Sequence, residues 1–339
     1  MKTLIAKLED NGHLSRLEAD AAMEEILSGR AGEESIIALL SVLREKGETV
    51  EELVGFARAM RRHATPIFPD GSRPDELLVD TCGTGGDASG TFNISTTAAF
   101  VVAGAGVRVA KHGNRSISSK CGSADVLEAL GISLGLSPER AGAAVREIGI
   151  GFLFAPAMHT AMRHAMPARR ILGRTAFNLL GPLTNPAGAR AQVVGVFSDN
   201  VVEKIALVLC ELGVDHAFVV HGAGGLDEIS LSGETKVGEV IGNSVRLYEI
   251  TPEDFGLERA PLSAISGGDA ADNAKILRAI LCGEHGARRD IVVANAAAAL
   301  VAAGRSADFL EGALLAAESI DSRAALKKLD ALIAFTSST

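Results

Sequence analysis

The sequence predicts an α/β protein, built as a small all-helical N-terminal domain and a larger domain around a mainly parallel central sheet. Three observations predict it. Residues 14 to about 64 carry helix signals and no strand signals. From Leu77 onward, short apolar strands alternate with loops and amphipathic helices, the grammar of strand-crossover-strand units. Two loops between a strand and a helix are crowded with Gly, Ser, Thr and Asn.

In the helical part, Ser15-Arg16-Leu17-Glu18 and Thr49-Val50-Glu51-Glu52 both fit the capping box, with a hydroxyl at the N-cap and a Glu three residues on. Ile36, Leu40 and Leu43 recur at helical spacing between them, and Gly29, Gly32 and Gly47 mark breaks. The pattern gives three short amphipathic helices. Each must bury its apolar face on the others, on a later segment or on a second subunit. Pro66, Pro69, Gly71 and Pro74 form a linker, so residues 1–70 make the helical domain and residues 75–158 and 190–339 the α/β domain.

Residues 77–80 form the first strand, followed by Gly83-Thr84-Gly85-Gly86-Asp87 and a helix opening near 93–97. The apolar run 97–109 is too short to span a bilayer and reads as a buried helix running into a strand at 107–110. Residues 123–131 form a helix with Ser123 at the N-cap and Gly131 beyond its end. A helix over 137–148 has Pro138 at its first position, and 150–154 is a strand. Residues 159 to about 180 read as helical and cationic, with Arg163, His164, Arg169, Arg170 and Arg174. This segment, about 159–185, is assigned to pack on the helical domain. Strand and helix signals resume at 191–197, 201–212 and 217–221. Three strand-like pieces follow at 229–231, 236–241 and 245–250, and an Ala-rich helical region runs from 271 to 335.

Composition narrows the function. A net charge of −9 and a single Tyr with no Trp disfavour a nucleic-acid surface. The four cysteines are scattered without CxxC spacing, as in a reduced cytoplasmic protein. The N-terminus has acids where a signal peptide has an apolar core, and no membrane anchor is expected.

A Gly-rich turn between strand and helix exposes N–H groups and directs the positive helix end at an anion. Residues 83–87 fit that setting and equally fit a plain tight turn; neither the Walker nor the GxGxxG pattern is present. Asn93, Ser95 and Thr96 supply more donors than a cap needs. The second loop, Lys111-His112-Gly113-Asn114-Arg115 followed by Ser116, Ser118 and Ser119, is the stronger signal, since Lys111 and Arg115 suit phosphate oxygens. The adjacent acids Asp227 and Glu228 fit either an exposed turn or a hard cation shared with substrate phosphates. His112 and His159 fit either a substrate contact or a hydrogen-bonded structural role. Among Arg163 to Arg174, a carboxylate site and a solvated helix face remain open.

The blocks DTCGTGGD, FNISTTAAFV, VAKHGNRSISSKCGSADVLEALG, RRILGRTAFNLLGPLTNPAG and VHGAGGLDEIS, in this order, resemble anthranilate phosphoribosyltransferases over essentially the whole chain. Cys121 stands where serine is more usual. The resemblance implies a nucleoside-phosphorylase-like α/β domain and a homodimer through the helical domain. It implies transfer of phosphoribosyl from phosphoribosyl pyrophosphate to anthranilate, a step of tryptophan biosynthesis. Carried over by position, Gly83, Gly86, Asp87, Thr91, Asn93, Ile94, Ser95 and Thr96 hold phosphoribosyl pyrophosphate. Lys111, His112, Gly113, Asn114, Arg115, Ser116, Ile117, Ser118, Ser119 and Ser123 complete that site. Gly83, Asn114 and Arg169 meet anthranilate, with Arg169 on its carboxylate. Two Mg²⁺ per subunit are implied, one on Ser95 and Glu228 and one on Asp227 and Glu228. No catalytic acid or base is assigned, because an aniline-type amine is already neutral and nucleophilic. A pyrimidine nucleoside phosphorylase and a non-catalytic nucleic-acid-binding protein of the same fold are the alternatives.

Overall fold

The computed structural model describes residues 1–87, 89–116 and 120–338. Ile117, Ser118 and Ser119 lie outside the described residues. The chain begins with α1 (Lys2–Glu9), α2 (Arg16–Leu27), α3 (Glu33–Lys46) and α4 (Val50–His63). Both expected capping boxes form: Ser15 accepts from the Glu18 amide, and Thr49 from the Glu52 amide. Buried Glu52 also accepts from the Leu14 amide at 2.9 Å and from Lys46 Nζ at 2.9 Å, tying the approach to α2 onto α4. Gly55 lets α2 and α4 touch, since a Cβ there would sit 2.7 Å from the Ala19 Cβ. Helix α1 was not expected; it forms because Ile5 and Leu8 reach the bundle core from one face.

The sheet begins with β1 (Leu78–Gly83), α5 (Ile94–Gly104), β2 (Arg108–Gly113), α6 (Ser123–Ala129), α7 (Pro138–Glu147) and β3 (Ile150–Phe154). The N-cap of α6 is Gly122, not Ser123, because Asp125 accepts the Gly122 amide at 2.8 Å and leaves Ser123 to bond the Asn114 carbonyl. The expected continuous helix over 159–180 is instead broken. After α8 (Ala155–Met158) comes a 3₁₀ turn, then α9 (Met166–Leu172) and α10 (Ala176–Leu180). Gly173, at φ 71°, separates the last two. Then follow β4 (Ala191–Gly195), α11 (Val202–Glu211), β5 (His216–Gly222), β6 (Thr235–Ile241) and β7 (Ser244–Ile250). Residues 229–231 are not a strand; Asn295 takes their backbone bonds by accepting from the Ile229 amide at 2.9 Å and donating to its carbonyl at 3.1 Å. The chain closes on α12 (Ala270–Leu281), α13 (Ala287–Ala302), α14 (Phe309–Asp321) and α15 (Ala324–Ser337).

The seven strands run in the order β3-β2-β1-β4-β5-β6-β7. Pairing is parallel from β3 through β5 and antiparallel beyond. One apolar cluster packs α5, α13 and their neighbours on the sheet. A second joins the N-terminal bundle to Ala168, Phe177 and Leu180, to α11, and to Val194 and Val219 of the sheet. The later segment therefore supplies the surface that the N-terminal helices need. The strand order reverses at β1, flanked by β2 on one side and β4 on the other. An open α/β sheet forms its ligand crevice beyond the carboxyl ends of the strands at such a reversal.

Candidate active site

Gly83 and Gly195 lie opposite each other at the ends of β1 and β4. Across them passes the turn carrying Asp227 and Glu228. A Cβ on Gly83 would lie 3.0 Å from Asp227 Oδ2, and one on Gly195 would overlap the Asp227 carbonyl. Gly195 must be glycine for the acid turn to reach the crevice, because the atom a Cβ would overlap is backbone. The Gly85 amide donates to Asp227 Oδ2 at 3.0 Å, and the Ser95 amide, in the first turn of α5, donates to Glu228 Oε1 at 3.1 Å. The loop amide and the helix start thus already hold anions, here the protein's own carboxylates, as the positive end of a helix favours.

Desolvation in the crevice, then repulsion from Asp87 and Glu228, holds the Asp227 carboxyl well above the usual range. Desolvation likewise raises Glu228 to about 7, against the pull of Lys111. Asp87 Oδ2 is buried without a hydrogen-bond partner among the described residues. Asp87, Asp227 and Glu228 act on one another electrostatically, and carboxylate oxygens are of the type a hard cation takes. Among the described residues no three His, Cys, Asp or Glu side chains form a metal-holding group by themselves, and Mg²⁺ generally takes one or two carboxylates with waters and substrate phosphates.

Lys111 is buried. Its Nζ donates to the Thr81 carbonyl and lies 3.5 Å from Ser95 Oγ, and burial lowers its pKa. Its ammonium therefore lies beside Ser95 at the start of α5. Beside it Asp80, fully buried, accepts from the His112 amide at 3.0 Å and from Asn185 Nδ2 at 2.7 Å. Arg115 donates to Asp125 at 3.0 Å and to Glu128 at 2.9 Å, so its fork is fastened to α6. Asn114 Oδ1 accepts the Arg115 amide, and Asp125 accepts the Ser116 amide. Gly113 must be small because a Cβ would meet Ser123 and the Phe152 ring.

Asn93 donates to the Cys121 carbonyl at 3.2 Å and accepts from Asn273 at 3.0 Å. Burial raises the Cys121 thiol to about 11, so it stays protonated and inert. Ile94 is a core residue, and Thr96 is buried with its hydroxyl unpartnered among the described residues. Thr91 bridges to Ser266, and the Gly267 amide donates to the Gly90 carbonyl. The Gly267-Gly268-Asp269 motif thereby supports the first loop.

The His112 and His159 rings lie 5.1 Å apart, and burial lowers their pKa values to about 3 and about 4. Both are neutral at physiological pH. His112 Nδ1 bonds the Gly181 carbonyl, and both Nε2 atoms are buried without partners among the described residues. Arg169 is half-buried on α9 with its guanidinium 5.4 Å from the Phe177 ring centroid. It forms no ion pair with any described residue, an arrangement that leaves the cation free for a carboxylate ligand.

Sequence reasoning did not single out Asp80, Asn185, Gly195 or Arg174 by role. Arg174 donates to the carbonyls of Gly85 at 3.2 Å and Gly86 at 3.1 Å. A glycine ending β4 just where β1 also ends in glycine was the available signal for Gly195. Nothing local marks the others.

The glycosyl transferase family helical bundle domain matches residues 2–64, and the glycosyl transferase family a/b domain matches residues 75–326. An anthranilate phosphoribosyltransferase of Moorella thermoacetica is 55% identical, covering 100% of this chain and 99% of its own. The solved anthranilate phosphoribosyltransferase of Thermus thermophilus superposes with a TM-score of 0.92 at 45% identity, covering 98% of this chain and 99% of its own. The Saccharomyces cerevisiae enzyme, solved with phosphoribosyl pyrophosphate and Mg, gives a TM-score of 0.89 at 28% identity over 99% of this chain and 98% of its own. That yeast enzyme has also been solved with 4-fluoroanthranilate. The chain belongs to the anthranilate phosphoribosyltransferase family.

Proposed function

We infer that the protein transfers the phosphoribosyl group of phosphoribosyl pyrophosphate to the amine of anthranilate. The bond from the ribosyl C1 to the pyrophosphate oxygen breaks and the C1–N bond forms, giving N-(5-phosphoribosyl)anthranilate and pyrophosphate. The observation that carries this reading is Arg169, an unpaired cation on a connector whose Arg174 touches the glycine loop. It supports a carboxylate site on the segment whose Arg174 reaches the glycine loop.

The amides of the glycine loop and of α5 receive the pyrophosphate end. Gly83, Gly86, Asp87, Thr91, Asn93 and Ser95 line that end. The loop from Lys111 to Ser116, with Ser123, receives the ribosyl phosphate. Gly83, Asn114 and Arg169 hold the acceptor. Asp227, Glu228 and Ser95 would hold Mg²⁺, two ions per subunit, which neutralise charge on the leaving pyrophosphate. His112 and His159, kept neutral by burial, would neighbour the aromatic ring of the acceptor. Catalysis then rests on alignment and on charge stabilisation at the leaving group. Arg169→Ala raises the KM for anthranilate at least about tenfold, as expected for a lost charged hydrogen bond. The KM for phosphoribosyl pyrophosphate stays within about twofold, and steady-state kinetics with each substrate varied would show equal effects if the assignment were wrong.

The division into a helical domain of residues 1–70, joined by 159–185, and an α/β domain of 75–158 and 190–339 is supported by the helical-bundle and a/b family matches over residues 2–64 and 75–326. A homodimer through the helical domain is supported by exposed apolar side chains there, Leu17 at 81% and Ile171 at 64% exposure. Among the described residues no helix is long and apolar enough to cross a membrane, and no disulfide joins the cysteines, in keeping with a cytoplasmic setting. Light scattering at micromolar concentration on protein from the cytosolic fraction returns the mass of two chains. The mass of one chain would contradict the dimer.

A further inference from the structure

We propose that Arg174 is a positioning residue that presets the glycine loop for the donor's pyrophosphate. The proposal rests on the donor-site reading above. Arg174 follows Gly173, where the chain turns sharply at φ 71°. Just before that turn, the Leu172 carbonyl accepts from Arg44 of α3 at 3.0 Å, so the turn is anchored on the helical bundle. The guanidinium carbon lies 3.9 Å from the Phe197 ring centroid, stacked beyond the end of β4. From there Nη2 reaches the Gly85 and Gly86 carbonyls.

In a trans peptide the carbonyl and the following N–H point in opposite directions. Drawing the carbonyls of Gly85 and Gly86 toward Arg174 therefore turns the N–H groups of Gly86 and Asp87 to the opposite side. Neither N–H has a partner among the described residues, whereas Thr84 and Gly85 donate to Gly195 and Asp227. Two adjacent unfilled N–H groups in a glycine turn form a concave anion site. Gly86 is required twice over. Its φ is 82°, and a Cβ would fall on the Arg174 guanidinium. Arg174 commits its charge to two neutral carbonyls and an aromatic face, and pairs with no described carboxylate.

The test is calorimetric titration of phosphoribosyl pyrophosphate, with Mg²⁺ present and no acceptor, into wild type, Arg174→Ala and Arg174→Lys. It is combined with amide exchange of the ligand-free proteins. Arg174→Ala weakens donor binding at least about tenfold, the scale of lost hydrogen bonds from a charged donor. It also speeds exchange across residues 84–87 and leaves the anthranilate KM within about twofold. Arg174→Lys recovers part of the binding, because an ammonium can reach both carbonyls but cannot stack flat on Phe197. Gly86→Ala repeats the donor defect, and the double variant with Arg174→Ala is no worse than the poorer single one. Donor binding within twofold of wild type in Arg174→Ala would overturn the proposal. So would a parallel rise in both KM values with a lowered Tm. A wild type that binds no phosphoribosyl pyrophosphate would overturn the donor-site reading itself, and the proposal with it.

Discussion

Asp227→Asn lowers kcat/KM by about 10²- to 10³-fold, the loss expected when a carboxylate that would hold Mg²⁺ at the leaving pyrophosphate is removed. The substitution is nearly isosteric. The amide oxygen still accepts the Gly85 N–H, so the loop keeps its place. What disappears is a carboxyl whose ionisation burial, Asp87 and Glu228 oppose. Thermal stability therefore stays level or rises while activity falls. That opposite movement separates a charge role from a folding role, since a residue needed for the fold would lose both together. Steady-state kinetics and a thermal melt on the same preparation measure it. Activity within about threefold of wild type would remove Asp227 from the site.

Gly195→Ala is expected to inactivate the enzyme by displacing the acid turn. The added methyl group would overlap the Asp227 carbonyl, which is backbone and cannot rotate away. Either β4 bends or the turn carrying Asp227 and Glu228 backs out of the crevice. Overpacking of this kind costs about 1–3 kcal/mol. A shift of about 1 Å in reacting groups costs about 10²-fold in rate. Activity falls at least that far, with a lowered Tm. Gly135→Ala is the control: its Cβ would meet nothing nearer than Ser133 Oγ at 3.8 Å, so activity and Tm stay at wild type. If Gly195→Ala were as active as Gly135→Ala, the close approach of the turn would not matter to the chemistry.

What could be read from the sequence is what local chemistry encodes. The capping boxes at Ser15 and Thr49 need only neighbouring residues, and both form. The alternation of strands and helices from Leu77 sets the parallel sheet, because each crossover is written in the chain itself. The donor-rich loops and the acid pair could be found because their residue types are concentrated in short stretches. Long-range partnership is not written that way. Arg174 and Gly85 are 89 positions apart, and no local pattern marks the arginine as a partner of that loop. Asp80 reads as the polar end of a strand, yet it is a buried carboxylate between the His112 amide and Asn185. The break at Gly173 was hidden by helix formers on both sides. Helix α1 was hidden by its shortness and by a start without a side-chain cap, and its inward residues Ile5 and Leu8 suffice once a bundle exists to receive them.

The central claim is that the crevice between β1 and β4 joins a phosphoribosyl donor to anthranilate. The direct measurement is the loss of anthranilate fluorescence on mixing the protein with phosphoribosyl pyrophosphate and Mg²⁺. Fluorescence falls steadily when all components are present, holds constant when the donor is omitted, and stops falling in EDTA until Mg²⁺ is added back. Undiminished fluorescence with the complete mixture would contradict the claim, and so would turnover that persists unchanged in EDTA.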